Sequence, residues 1–239
     1  MSGSFAVEMM SDKAPLWRCL HGGPLTAGSL DAADEDGQTP FAQFRGRNLA
    51  FLERLTETYG ACAVVAKAGD AFVGHLRFYP RAVHEMAEPG LGLCLQQEFP
   101  SGPADDLGRR TFPPLDKIRD KTLLVHCMMV ASRGPGGAEY RRHGIGRRMA
   151  RTLTDWAARM GWHAVEATAY TALPLIYMVS GQTGRSFWES LGFRLARTER
   201  EPALEEENDF AWALREQAIQ LGSDPARISD RYVMRLDIS

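Results

Sequence analysis

The chain has 239 residues, 44% of them hydrophobic and 24% charged, with a net charge of −2 at neutral pH. This balance fits one enlarged globular domain and argues against a general nucleic-acid binder, which is usually basic. No apolar run approaches the roughly 20 residues that span a bilayer, and Met1–Glu8 lacks both the charged start and the apolar stretch of a signal peptide, so a cytoplasmic protein without a membrane partner is expected. Cys19, Cys62, Cys94 and Cys127 are widely spaced with no Cys-x-x-Cys pair, which predicts buried free thiols and no metal.

In chain order, residues 1–38 read mostly as loop, an N-terminal extension with a hint of strand around Leu16-Trp17. Thr39-Pro40 reads as an N-cap followed by proline at the first helical position. Phe41, Phe44, Leu52, Leu55 and Tyr59 then supply an apolar helical face, which Gly46 interrupts. Ala61–Lys67 and Ala71–Tyr79 are apolar runs flanking a turn at Gly69-Asp70, a predicted hairpin closed by Pro80. Residues 81–120 show little regular pattern, yet Leu91, Leu93, Phe99 and Phe112 argue for an ordered insertion over one end of the sheet. Thr122–Val130 is short, apolar and partly β-branched, a buried strand. Apolar residues at Ile145, Met149, Leu153, Trp156, Ala157 and Met160 have helical spacing, and Gly161 supplies a stop. Ala164–Tyr170 is a further strand. Residues 203–221 form a predicted extra helix whose glutamates at 205–207 suit a positive helix end, and Tyr232–Ile238 closes the chain as a strand. The sum is an α/β chain, a mixed sheet with helices on both faces.

The run Arg141-Arg142-His143-Gly144-Ile145-Gly146-Arg147-Arg148 falls between a strand and a helix. That order aims free backbone N–H groups and a positive helix end at an anion. Gly144 and Gly146 allow close backbone approach to a phosphate, and the arginines can add charge-assisted hydrogen bonds. A P-loop would carry Lys and then Ser or Thr after its glycines, and the dinucleotide fingerprint would need glycine or alanine where Met149 stands. What Arg141-x-x-Gly144-x-Gly146 resembles is the Gln/Arg-x-x-Gly-x-Gly/Ala motif of the GNAT superfamily of N-acetyltransferases. Downstream, Gly184-Arg-Ser-Phe-Trp-Glu-Ser-Leu-Gly-Phe193 is similar to the family's later helix and its closing Tyr-Glu-x-x-Gly-Phe pattern. The resemblance covers about 60–80, 121–200 and a last strand near 231–237, and leaves out the N-terminal region and the insertions.

The resemblance implies a largely antiparallel twisted sheet, with a bulged central strand that splays from its neighbour. It implies acetyl-CoA as acyl donor, its pyrophosphate on the backbone of Arg141, Arg142, His143, Gly144, Ile145, Gly146 and Arg147. Its pantetheine arm would pair with Met128, Met129 and Val130, one of whose N–H groups would serve as an oxyanion donor. Two departures stand out. Ala131–Tyr140 is longer and richer in glycine than the family's connection, an insertion that costs little, and Arg133 in it is a further candidate for phosphate contact. Trp188 stands where relatives carry a tyrosine that protonates the departing thiolate, and an indole has no useful acidity. Trp188 is then expected to line the cofactor wall, with Tyr177 or Tyr170 as substitute proton donors.

His126 is the leading candidate for proton acceptor, since imidazole titrates near neutrality. Simple alternation puts it on the face of Met128 and Val130, and the alternative is a hydrogen-bonded core histidine. Glu166 is a second candidate base. The function implied is acetyl transfer to a primary amine of a small molecule or peptide by direct attack on the thioester. The rival is a catalytically inactive acyl-CoA-binding sensor. No metal and no nucleic-acid partner are expected, and a homodimer is left open.

Overall fold

The computed structural model describes residues 4–10, 15–20, 23–30, 45–87, 111–131 and 140–238. Its strands are β1 Ala6–Met9, β2 Ala63–Ala68, β3 Ala71–Pro80, β4 Thr122–Val130, β5 Ala164–Tyr170, β6 Thr183–Gly184, β7 Arg194–Arg200 and β8 Asp230–Asp237. Its helices are α1 Arg45–Tyr59, α2 Arg81–Ala87, α3 Ile145–Arg159, α4 Pro174–Ser180, α5 Arg185–Glu189, α6 Pro202–Glu205 and α7 Asp209–Gln220. The strands form one mixed sheet in the order β1-β2-β3-β4-β5-β8-β7, with the two-residue β6 also on β5. Only β4–β5 and β5–β6 are parallel. No described helix is long and apolar enough to cross a membrane.

Helices cover both faces, and two successive residues of β3 show it. Phe78 packs its ring 5.2 Å from Trp156 of α3, whereas Tyr79 meets Phe51 of α1 edge-on at 6.2 Å. Consecutive strand side chains point to opposite faces, so α3 lies on one side and α1 on the other. Ile145, Met149, Ala150, Leu153, Trp156 and Ala157 of α3 are all buried, the helical stripe expected from the sequence, except that Met160, at the helix C-cap, is exposed. On the α1 side, buried Asn48 of α1 donates Nδ2–H to the Trp17 carbonyl at 3.1 Å, and Arg77 donates Nη2–H to that of Leu16 at 3.0 Å. The N-terminal segment is thereby tied to the sheet.

Several expectations need correction. Leu16-Trp17 forms no strand; both residues are buried in a loop, and the first strand is β1, paired with β2. The region after Pro80 begins with α2 and contains a short 3-10 turn at Leu115–Lys117; residues 88–110 lie outside the described residues, as does Cys94. The C-terminal helix is two helices, α6 and α7, because Asn208 caps the second by accepting the Ala211 N–H at 2.9 Å.

Candidate active site

β4 and β5 pair from Thr122/Ala164 to Val125/Ala167 and then part. The cause is a bulge in β4. Arg77 faces Cys127 and Phe78 faces Val125, so His126 is the extra residue on β4. A bulge bends its strand and sharpens the local twist, which opens a seam beyond Val125. The segment after α4 enters this seam, where Ala169 of β5 pairs with Thr183. On the β4 side, the Met128 N–H donates to the Gly181 carbonyl at 2.9 Å, and Gln182 Nε2 donates to the His126 carbonyl at 2.6 Å. The Val130 N–H donates to Tyr177 Oη at 2.9 Å. The backbone groups of Met128 and Val130, expected open for a pantetheine arm, are therefore satisfied by this chain's own atoms. Gly181 is fitted to that position. Its φ is +65°, and a Cβ there would stand 3.0 Å from Met129 Cγ.

On the α3 face, the seam opens into a cavity of about 310 Å³ lined by Met128, Val130, Arg141, Arg142, Gly144, Gly146, Tyr177 and Phe187. Gly144 is the N-cap of α3, at φ +76°, and provides no capping side chain. Arg148 N–H donates to the Gly144 carbonyl at 3.0 Å as the first helical bond. The N–H groups of Ile145, Gly146 and Arg147 precede that bond and have no partner within the helix. Three amides and a helix dipole at a cavity edge form an anion site. Beside it, Arg141 donates Nε–H to the Val130 carbonyl at 3.3 Å and lies 5.2 Å over the Tyr177 ring. Arg142 and His143 are exposed, Ile145 is core, and Arg147 donates to Ser190 Oγ at 3.1 Å. Arg133 and the rest of 132–139 fall outside the described residues.

On the α1 face lies a second cavity of about 300 Å³, which includes Tyr79, Arg81, His126, Glu166, Thr168 and Gln182. His126 belongs here and not with Met128 and Val130. Simple alternation fails because the bulge puts His126 and Cys127 successively on one face. Its Nδ1 lies 2.9 Å from Tyr79 Oη. Burial, with a smaller push from Arg77, His84 and His75 against an opposing Cys19 contribution, lowers the imidazole to about 4. At neutral pH it is uncharged, and the lowered pKa makes it a weaker base than an ordinary imidazole.

Glu166 is buried and committed to arginines. Its carboxylate meets Arg81 at 2.5 Å, Arg235 at 3.0 Å and Arg197 at 3.6 Å. These pairs bind α2, β7 and β8 to β5, an anchoring arrangement. Tyr177, on the other face, has its hydroxyl pKa raised, chiefly by burial, against lowering by the Val130 N–H and Arg141. It holds its proton at neutral pH.

Trp188 is not at the cavity. It is 1% exposed and packs between Phe187, with ring centroids 5.1 Å apart, and Phe193 at 4.9 Å. Phe187, one residue earlier in α5, lines the α3-face cavity instead. Met129 faces away too, clustered with Cys19 and Cys127. The sequence reading passed over Phe187, Tyr79 and Gln182. A helix of five residues shows no periodicity to rank Phe187 above Trp188, and no local pattern marks Gln182 as seam-facing.

No protein-family model and no curated protein matches the sequence. Among solved structures, a GNAT-family acetyltransferase from Streptococcus pneumoniae aligns at TM-score 0.49 and 13% identity, over 99% of this chain and 100% of that one. An agmatine N-acetyltransferase aligns at TM-score 0.49 and 15% identity, over 98% and 99%. The ribosomal-protein-S18-alanine N-acetyltransferase of Escherichia coli aligns at 0.47 and 11%, over 99% and 95%. A bulged β4, a parallel β4–β5 pair that parts, and a glycine turn opening α3 are the features the sequence resemblance implies. The fold is GNAT-like.

Proposed function

We propose that the protein transfers an acetyl group from acetyl-CoA to a primary amine of a small molecule or peptide by direct attack on the thioester. One observation carries the reading: two cavities lie on opposite faces of the sheet, one on each side of the seam that Gly181–Thr183 fills, the first lined by Gln182 and the second by Thr183. One has the amide-lined helix end, the other a neutral imidazole. The residues present fit the donor, since the pyrophosphate would take the N–H groups of Ile145, Gly146 and Arg147 with Arg141 alongside. The amine enters from the α1 face. As its nitrogen bonds to the acyl carbon, the Val130 or Met128 N–H stabilises charge on the carbonyl oxygen, once Tyr177 Oη or the Gly181 carbonyl gives way. The C–S bond breaks, Tyr177 gives its proton to the thiolate, and His126 takes the proton that the amine sheds. Solvent returns the proton from His126 to Tyr177. Cys127, although 3.4 Å from His75 Nε2, is buried and lines neither cavity, which argues against an acyl-enzyme.

The second reading is an acyl-CoA-binding module without turnover. The engaged Met128 and Val130 N–H groups favour it, because a donor must displace protein hydrogen bonds to reach them. A screen for CoA thiol release with alkylamines, polyamines, amino acids and peptide N-termini tests the choice. Steady release with one class supports the transferase, and tight acetyl-CoA binding without release from any class supports the module.

A further inference from the structure

On the α1 side of β4, beside His126 but outside the lining of both cavities, Cys19 of the N-terminal segment, His75 of β3 and Cys127 of β4 converge. Their two sulfurs and one imidazole nitrogen lie within 4.8 Å of one another, and His75 Nε2 is 3.4 Å from Cys127 Sγ. All three residues are buried, at 4%, 0% and 2% exposure. Met129 packs against the two cysteines. Arg77 donates Nη1–H to Cys19 Sγ at 3.6 Å, which sets a guanidinium beside the cluster.

From these residues we infer a buried binding site for a thiophilic d10 cation, held by Cys19, His75 and Cys127. Sulfur ligands around one such ion stand roughly 3.8–4.0 Å apart when each bond is about 2.3 Å, so the cluster needs a contraction of less than an ångström. Two thiolates and an imidazole form a soft donor set, which selects Cu(I) or Zn(II) over harder ions. Charge favours the monovalent ion. Two thiolates around Cu(I) leave one net negative charge for the Arg77 guanidinium to face, whereas Zn(II) leaves none, and burying charge without a counterpart is costly. Binding displaces the proton of each thiol that is not already ionised, so affinity rises with pH. An occupied site would fasten the N-terminal segment to β3 and β4 directly behind Met128.

The test uses the full-length, fully reduced protein under anaerobic conditions. Cu(I), supplied as its acetonitrile complex, is titrated in competition with a chromophoric Cu(I) chelator; a second arm uses Zn(II) with a zinc chelator. The expected result is about one ion per chain, with Cu(I) held the more tightly, and a thermal midpoint that rises on loading. Cys19→Ser and Cys127→Ser should each weaken binding by about 10–100-fold or more, while Cys62→Ser and Cys94→Ser leave it unchanged. If a cysteine variant fails to fold, His75→Gln takes its place with the same expected loss. Tighter retention of Zn(II) keeps the site and overturns the monovalent assignment. Binding unaffected by loss of Cys19 or Cys127, or no competition with either chelator, overturns the site. So does a Cys19–Cys127 disulfide, seen as a two-hydrogen mass loss, that persists under the reducing conditions.

Discussion

The Tyr177 hydroxyl accepts the Val130 N–H at 2.9 Å, and burial keeps its own proton in place. A Tyr177→Phe variant removes both roles, and they are separable. Loss of the proton donor should lower kcat by about 10²-fold or more, whereas release of the Val130 N–H should leave acetyl-CoA affinity equal or tighter. Single-turnover rates alongside equilibrium titration give the two numbers; weaker binding with unchanged kcat would reassign Tyr177 to packing. His126 makes a prediction about stability. Its folded pKa of about 4 lies below the ordinary value of 6.5. The unfolded chain therefore binds a proton that the folded one refuses as pH falls from 6.5 towards 4. This costs nothing above pH 6.5 and reaches its full size below 4. His126→Gln should flatten the fall of thermal midpoint across that window, and a parallel fall in variant and wild type would place the titrating group elsewhere. Trp188, buried between two phenylalanines, should respond as core. Trp188→Ala should cost about 3–5 kcal/mol in chemical denaturation, and Trp188→Tyr should not act as a proton donor.

Strand β4 shows how far the element scale can be read from sequence. Thr122–Val130 is legible as a buried strand because apolar, β-branched residues fill it. The bulge is not legible: an extra residue in Val125-His126-Cys127 changes which face each side chain takes without changing composition. It moves His126 to the α1 face. β1 escapes notice because four residues at a sheet edge alternate too briefly to register, and α2 because seven residues directly after Pro80 give barely two turns. The α3 stripe and its glycine turn are plain, since six buried positions repeat at helical spacing. Entry of Gly181–Thr183 into the seam could not be foreseen, because it depends on a gap that exists only once the bulge has formed. Gln182→Ala removes the bond to the His126 carbonyl and should loosen this segment. Amide exchange at Met128 and Val130 should accelerate in that variant while exchange in α3 stays as in the wild type; unchanged rates at both residues would mean that Gln182 does not hold the seam.

At the scale of the whole molecule, Glu166 joins elements that are distant in sequence: Arg81 of α2, Arg197 of β7 and Arg235 of β8. Removing a buried partner strands the others. Because the arginines are partly exposed, Glu166→Gln should cost about 2–4 kcal/mol, measured by urea unfolding; a loss below 1 kcal/mol would mean that solvent already satisfies them. The sheet separates two sites, the amide-lined head of α3 and an arginine-walled cavity around His126, with the Gly181–Thr183 segment between them where β4 and β5 part. The measurement closest to the centre of this account is calorimetric titration of acetyl-CoA into the wild type and into Gly146→Val. A Cβ at Gly146 makes ordinary contact, nearest Met128 Cε at 3.4 Å, and the γ methyls of a valine reach further into the cavity that Met128, Phe187 and the helix head line. The account predicts binding by the wild type and its loss in the variant, with circular dichroism unchanged. Equal affinity in the two proteins would contradict it.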